Sequence, residues 1–240
     1  MSGPKAEDAM NAREIMNAIE EDIVFGVLPP QSRLVEERLS ERFDAKRHVI
    51  REVFSSLEDL GLVERVPNKG ALVTELTPEE VLEIYEVRKL LEVHAGLATK
   101  LPADPTLIAT MEDVQRQHEA AVQSERFRDV FHLNIEFHRL QYSACGNKHL
   151  VQTIDDYARK AHLIRATKYG DPVHMQKVVR QHWAIIEAMK DMDNQQLVRL
   201  IEDHLPGSPE EYIRIYNIRY GHAARRTARP NSEGRLLREA

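Results

Sequence analysis

Cysteine is nearly absent: one residue, Cys145, in a chain of 240. A single thiol excludes an intramolecular disulfide and fits a reducing cytosol, where it reads as an apolar filler. No apolar run approaches the length that spans a bilayer, and the opening Met1-Ser2-Gly3-Pro4-Lys5 does not have the make-up of a secretory signal. Internal repeats and low-complexity tracts are missing too. An excess of positive charge is also lacking, since 33 lysines and arginines face 39 acidic residues for a formal charge of −6. That balance excludes a uniformly basic coat for nucleic acid, so any such contact has to come from a local patch. What is present, 42% hydrophobic and 30% charged residues, is an ordinary water-soluble composition. The length suffices for one large or two ordinary domains, and the expected location is the cytoplasm.

The most informative stretch runs from Gln31 to Glu75. Val35, Leu39 and Phe43 fall at helical spacing on one apolar face, and Asp44-Ala45 interrupts the period. A second helical pattern, Lys46 to Leu60, buries Val49, Ile50, Val53, Leu57 and Leu60 and leaves Lys46, Arg47, His48 and Arg51 free at its head. A helix with cations at its N-terminal end, set behind a short helix and a tight turn, has the form that enters a major groove. Gly61 then caps the helix, and Leu62–Val66 reads as a half-buried strand. Pro67-Asn68-Lys69-Gly70 is turn chemistry and Ala71–Thr74 is the returning strand. This is a two-stranded wing with Lys69 at its tip, beside a glycine that lets the backbone approach a phosphate. Lys69 stands evenly between a nucleic-acid contact and an ordinary turn lysine.

The order Leu34, Leu39-Ser40, Arg47, Val49-Ile50-Arg51-Glu52, Leu57, Leu60-Gly61-Leu62-Val63, Lys69-Gly70 and Val73 resembles the N-terminal domain of the GntR family of bacterial transcription regulators. The resemblance implies that Arg47 and Arg51 read or clamp DNA from the recognition helix, with Lys46 and His48 beside them and Lys69 and Gly70 at the wing. Two departures stand out. Pro29-Pro30 replaces the family's usual Pro-Gly, and Asp44-Ala45-Lys46 replaces a Gly-Val-Ser-like turn. The acidic Asp44 costs affinity near DNA, which Lys46 offsets.

Leu76-Thr77-Pro78-Glu79-Glu80 is a strong helix start, with Thr77 as N-cap and Glu80 closing a capping box. From there to the C-terminus the pattern is helical throughout: Val81–Lys100, Thr106–Ser124, Phe127–Ser143, Lys148–Lys168, Pro172–Met192, Asn194–His204 and Glu210–Tyr220. The expected organisation is mainly α. A winged helix-turn-helix of three helices and a two-stranded wing occupies residues 1–76. An all-α antiparallel bundle follows in 77–220, then a flexible tail in 221–240.

The bundle is similar to the FadR C-terminal domain subfamily through Arg88, Leu91 and Glu92, and through Phe137-His138, Ala144 and Gly146-Asn147. That subfamily often holds a metal on one acidic residue and three histidines, which the resemblance maps onto Asn134, His138, His182 and His204. Neutral imidazoles inside a bundle suit zinc, nickel or iron(II). Asparagine in place of the usual aspartate weakens the site, or makes it depend on an anionic ligand to complete the shell. Arg88 and Arg165 are candidate partners for that ligand's charge, against the more ordinary reading of ion-paired or surface arginines. The other histidines, His118 among them, read as surface or satisfied core residues.

The function that follows is a ligand-responsive transcription regulator, a repressor acting as a homodimer on a near-palindromic DNA operator and released by a small carboxylate. The alternative is a metal-dependent enzyme using the His-rich pocket. It lacks a clear general base and leaves the winged domain without a role.

Overall fold

The computed structural model describes residues 10–67, 69–165, 168, 171–205 and 208–227, without the side chains of 165, 208 and 221–227. Asn68 of the wing turn, Gly170, Pro206-Gly207 and the tail from 228 lie outside the described residues. The first helix, α1 (Ala12–Val24), starts at a capping box between Asn11 and Glu14 and buries Ile15, Ile19 and Ile23. The connector after Pro29-Pro30 is not the extended segment that the diproline suggests: it turns at Pro30-Gln31, with Gln31 at φ +66° and the Ser32 amide donating to the Pro29 carbonyl at 3.0 Å, and its end, β1 (Arg33–Leu34), pairs with the wing. Next come α2 (Glu36–Phe43), α3 (Arg47–Asp59), β2 (Val63–Val66) and β3 (Gly70–Val73). The sheet order is β1-β3-β2, all antiparallel, with Leu34 opposite Ala71 and Val66 opposite Gly70. The wing therefore has three strands where the sequence pattern shows two. Two residues are too short for a readable period, and β1 exists because the turn at Pro29–Ser32 brings the chain to the free edge of β3, where Gln31 and Ser32 already exchange backbone hydrogen bonds with Val73.

Asp44 takes φ +46° at the break between α2 and α3, which turns the chain without a glycine. The buried face of α3 is Ile50, Val53, Phe54 and Leu57, whereas Val49 and Leu60 are only half-buried. Phe54, one turn after Ile50, joins the buried face in place of Val49, which lies at its edge.

The bundle comprises α4 (Pro78–Ala98), α5 (Pro105–Gln123), α6 (Phe127–Ser143), α7 (Lys148–Lys160), α8 (His162–Arg165), α9 (Pro172–Lys190), α10 (Asn194–His204) and α11 (Ser208–Thr227). Side-chain caps at Thr77, Asp104, Asn147, Asp171 and Asp193 start five of them, and each satisfies amide groups the helix itself leaves open. The core is built from Ala95, Met111, Phe137, Ile185, Ile186, Met189, Leu197 and Ile201. At Gly96 a Cβ would lie 2.7 Å from Ile201 Cδ1, so glycine lets α10 cross close over α4.

Two helices differ from the sequence pattern. The run expected over Lys148–Lys168 breaks at Ala161, and α11 continues past Tyr220 to Thr227. The break has a packing reason: it turns Leu163 and Ile164 of α8 into the winged domain's core, beside Ile15, Ile19 and Val81. Tyr212 of α11 joins them, accepting from the Leu76 amide and donating to the Leu76 carbonyl, each at 3.1 Å. Head and bundle thus share one continuous apolar seam. Among the described residues no helix is long and apolar enough to cross a membrane.

Candidate functional site

Lys46, Arg47, His48 and Arg51 are all exposed at the head of α3. Lys46 is the N-cap residue; its ammonium, a donor only, cannot cap the helix amides, and its side chain is exposed. Arg47 donates to Glu37 at 2.9 Å, and Arg51 Nε donates to both oxygens of Glu36 at 3.0 and 3.2 Å. A groove of about 870 Å³ runs between this helix head and the wing, lined by Arg33, Arg47, Arg51, Arg65 and Lys69 against Glu36, Glu37 and Glu58.

Arg33 and Arg65 are groove cations that the sequence pattern did not single out. Arg33 was hidden with β1; its Nε donates to the Lys69 carbonyl at 2.9 Å and ties down the wing tip. Arg65 could have been found from its outward place in the alternation of β2; it donates to Ser55 Oγ at 3.1 Å. Gly70 has a different reason from the expected one. Its φ is +90°, and a Cβ there would lie 2.0 Å from the Leu34 carbonyl oxygen. The close approach it permits is that of the protein's own β1.

Inside the bundle, His138 of α6, His182 of α9 and His204 at the end of α10 converge, with one ligand atom of each within 4.8 Å of the others. The Nε2 atoms of His138 and His204 are 3.2 Å apart. Tetrahedral zinc with bonds of about 2.1 Å holds its nitrogens about 3.4 Å apart, so this pair already has ligand spacing and His182 lies a short movement away. Asn134 is buried on α6 one turn before His138, on the same helix face. The donor set is three imidazoles and one amide, which fits a borderline divalent ion such as zinc, nickel or iron(II). Each imidazole has a glutamine oxygen at its Nδ1: Gln141 at 3.1 Å from His138, Gln115 at 2.8 Å from His182 and Gln181 at 3.1 Å from His204.

Arg88 is not held open for a ligand. It is 3% exposed and its Nε and Nη2 donate to Glu92 at 2.9 and 2.8 Å. Burial disfavours its charge, yet Glu92 and the neighbouring Tyr85 and Tyr142 outweigh that and raise its pKa. The Tyr142 hydroxyl donates to the other oxygen of Glu92, and its ring stacks on His138 at 6.0 Å. The cavity beside Arg88 is about 30 Å³ and reaches His138 and His162. That is room for one water, not for an organic acid. The side chain of Arg165 lies outside the described residues.

His118 departs from the expectation of a satisfied core residue. It is fully buried, neither ring nitrogen has a hydrogen-bond partner among the described residues, and burial pushes its pKa down to about 4. Its ring centroid lies 5.1 Å from that of His182. The sequence signal was present but unused: Gln115 and His118 are i, i+3 on α5 and share its buried face.

A winged reading head with an exposed cationic groove, joined to a bundle with a cluster of histidines inside it, defines a DNA-binding regulator with a second, helical domain. Residues 11–73 match the model for bacterial regulatory proteins of the gntR family, and residues 83–206, more than half the chain, match the FCD domain. The chain belongs to the GntR family of DNA-binding transcription regulators and carries an FCD domain. The HTH-type transcriptional regulator YdhC of Bacillus subtilis is 28% identical over 74% of this chain and 80% of its own length. The HTH-type transcriptional repressor RspR of Escherichia coli K12 is 23% identical over 85% of this chain and 89% of its own. Among solved structures, E. coli McbR/YncC has a TM-score of 0.73 at 17% identity, covering 87% of this chain and 98% of that one. A GntR regulator from Rhodococcus sp. RHA1 has 0.70 at 19%, covering 85% and 98%. The two structures share the fold. The family and the sequence relatives are regulators rather than enzymes.

Proposed function

We propose that the protein is a metal-assisted, ligand-responsive repressor. The observation that carries this reading is the convergence of His138, His182 and His204 inside the bundle of a molecule whose other end presents an open cationic groove. Arg47 and Arg51 are the operator-reading residues, with Lys46, His48 and Lys69 on flanking phosphates and Gly70 shaping the wing. The three histidines, with Asn134, hold a divalent ion. When bound, that ion supplies an electrophilic position for a small carboxylate effector. The donors are all neutral, so the ion's charge is left for the effector to balance. Repression as the sense of control is supported by RspR, which is named a repressor.

Residues 1–76 serve as the reading unit and 77–220 as the sensor, working in the cytoplasm where the operator is. The signal has a physical route. Helix α4 packs Val81 and Tyr85 in the head's core and carries Arg88 and Glu92 to Tyr142, which stacks on His138. An effector that favours one placement of His138 therefore biases α4 and the heads it carries. A homodimer on a near-palindromic site is supported by α4 itself: its charged Arg88 and Glu92 point inward while Leu82, Leu90 and Leu97 are 58%, 67% and 59% exposed. Those leucines lie within about 80° of arc on one helix face, an apolar strip for a second copy.

The test combines a gel-shift assay on an operator selected from genomic fragments with a thermal-shift screen of small organic acids, each with and without zinc, nickel or iron(II). One acid is expected to release the operator only with a metal present, and to raise the melting temperature only with it. If no acid alters either readout under any metal, the effector reading fails. The regulator assignment is untouched by that result.

A further inference from the structure

We infer that Gln115, Gln141 and Gln181 are positioning residues that turn the Nε2 lone pairs of the three histidines toward one point by accepting the three Nδ1 protons. The inference rests on the metal reading above and deepens it.

Glutamine amides usually leave the direction of a hydrogen bond open, because oxygen and nitrogen can exchange places. Here the protein settles two of the three. Gln115 Nε2 donates to the Val179 carbonyl at 3.4 Å, so its oxygen is the end that faces His182 Nδ1. Gln181 Nε2 donates to the Asp203 carbonyl at 3.0 Å, so its oxygen faces His204 Nδ1. An amide oxygen accepts only, so Nδ1 must be the protonated nitrogen of both rings and Nε2 carries the lone pair. Gln141 Oε1 lies 3.1 Å from His138 Nδ1, but its Nε2 has no partner among the described residues, so at His138 the direction is part of the inference rather than set by a second bond.

With those protons in place, His138 and His204 bring two acceptor nitrogens within 3.2 Å of each other. Neutral rings in these tautomers have nothing to donate across that gap, and a cation between them is what the arrangement is built to receive. The choice of amides has a consequence. Metal-bound histidines often pass their second proton to a carboxylate, which strengthens the ligand and cancels part of the ion's charge. Three amides orient the rings as well but add no charge, and Asn134 adds none either. Orientation comes from this chain, while charge compensation is reserved for what binds.

The experiment uses the full chain and zinc alone, with affinity read by competition against a chromophoric chelator. Gln115→Met and Gln141→Met are expected to lose about 10- to 100-fold in zinc affinity. Gln141→Glu breaks no bond that Gln141 Nε2 makes among the described residues, and is expected to match or exceed the wild type because a carboxylate also accepts the proton. Long-range ¹H–¹⁵N spectra of the metal-free protein are expected to show Nδ1-protonated rings for His182 and His204, a signature that packing alone would not impose. Wild-type zinc affinity in both methionine variants, or Nε2-protonated rings at either histidine, overturns the inference while the metal site stands. A wild type that takes up no zinc, nickel or iron(II) overturns the metal reading, and the inference with it.

Discussion

In the winged head, Arg47 and Arg51 stand in solvent one helical turn apart, each held by a carboxylate of α2. In the bundle, His182 is fully buried, His138 nearly so and His204 half-buried, and all three are met by amide oxygens that carry no charge. Both regions use side chains in a ring of partners, yet they answer different ligands. The groove faces a polyanion that arrives with its own counterions, so its cations can be paired by acids that exchange for phosphates at small cost in water. On the metal reading proposed above, the cluster receives a single cation in a low-dielectric interior, where a preformed carboxylate would be expensive to keep unpaired. Exposed charge suits fast exchange, and buried neutrality suits a ligand that brings its own charge.

The comparison breaks most visibly if the two regions are not separable. His182→Ala removes one of three imidazoles, and the loss in zinc affinity should exceed the 100-fold upper range of about 10–100 seen for outer-shell changes. Operator affinity without effector should stay at the wild-type value, because no groove residue touches α9. Titration of both ligands on the same preparation checks it. A variant that loses zinc and operator together means that the cluster holds the fold of the whole molecule rather than a ligand.

Arg51→Ala runs the comparison the other way. A side chain reading a base edge is worth about 1–3 kcal/mol, roughly ten- to a hundredfold in operator affinity. Zinc binding should not change. If quantitative footprinting gives the wild-type pattern, α3 is not the reading helix, whatever its exposure.

Legibility followed the same division. The head was readable because its period, caps and turn residues are local: Gly61 at φ +72° and the Thr77–Glu80 capping box stand where the pattern places them. The bundle helices were readable for the same reason. What escaped depends on contacts between segments far apart in sequence. The strand β1 has two residues and exists only against β3, so Arg33 went unseen with it. The bend at Ala161 answers the core of the head, which no window around residue 161 contains. The three histidines came from a family resemblance, and the spacing 138, 182, 204 has no meaning until α6, α9 and α10 are packed. The glutamines are harder still, since Gln115 and Gln181 take their meaning from carbonyls on other helices or other turns.

Between the two regions lies a joint that tests how firmly they are coupled. Glu20 of α1 is buried against α7 and α8, with its carboxylate 2.8 Å from His162 Nδ1 and 3.3 Å from Arg159. Burial opposes its charge, but the hydrogen bond and charge of His162, and then Arg159, outweigh burial and the nearby Asp155, and its pKa is lowered. A depressed carboxylate contributes stability that is complete above the unfolded value near 4.5 and is lost as pH falls through the folded value. Glu20→Gln should therefore be less stable than wild type at neutral pH, by about 1–2 kcal/mol, and the two should converge on acidification through that window. Urea unfolding at a series of pH values measures it. Parallel profiles mean the joint is held by packing of Leu163 and Ile164 rather than by this ion pair.

The smallest effect concerns the acids in the groove. Glu36 is the partner of Arg51, and breaking an exposed pair of this kind costs little, so Glu36→Gln should tighten binding to any duplex by a few-fold only. The gain should be equal for operator and random sequence, because phosphate attraction carries no base information. Discrimination between the two should therefore hold, and the dependence of affinity on salt should change little. Fluorescence anisotropy on both duplexes at fixed ionic strength resolves a difference of that size. A variant that binds the operator more weakly while binding random DNA as before has lost a base contact. Glu36 would then be a reader in its own right, accepting from a cytosine amino group, and the pairing seen in the free protein would be its resting position rather than its purpose.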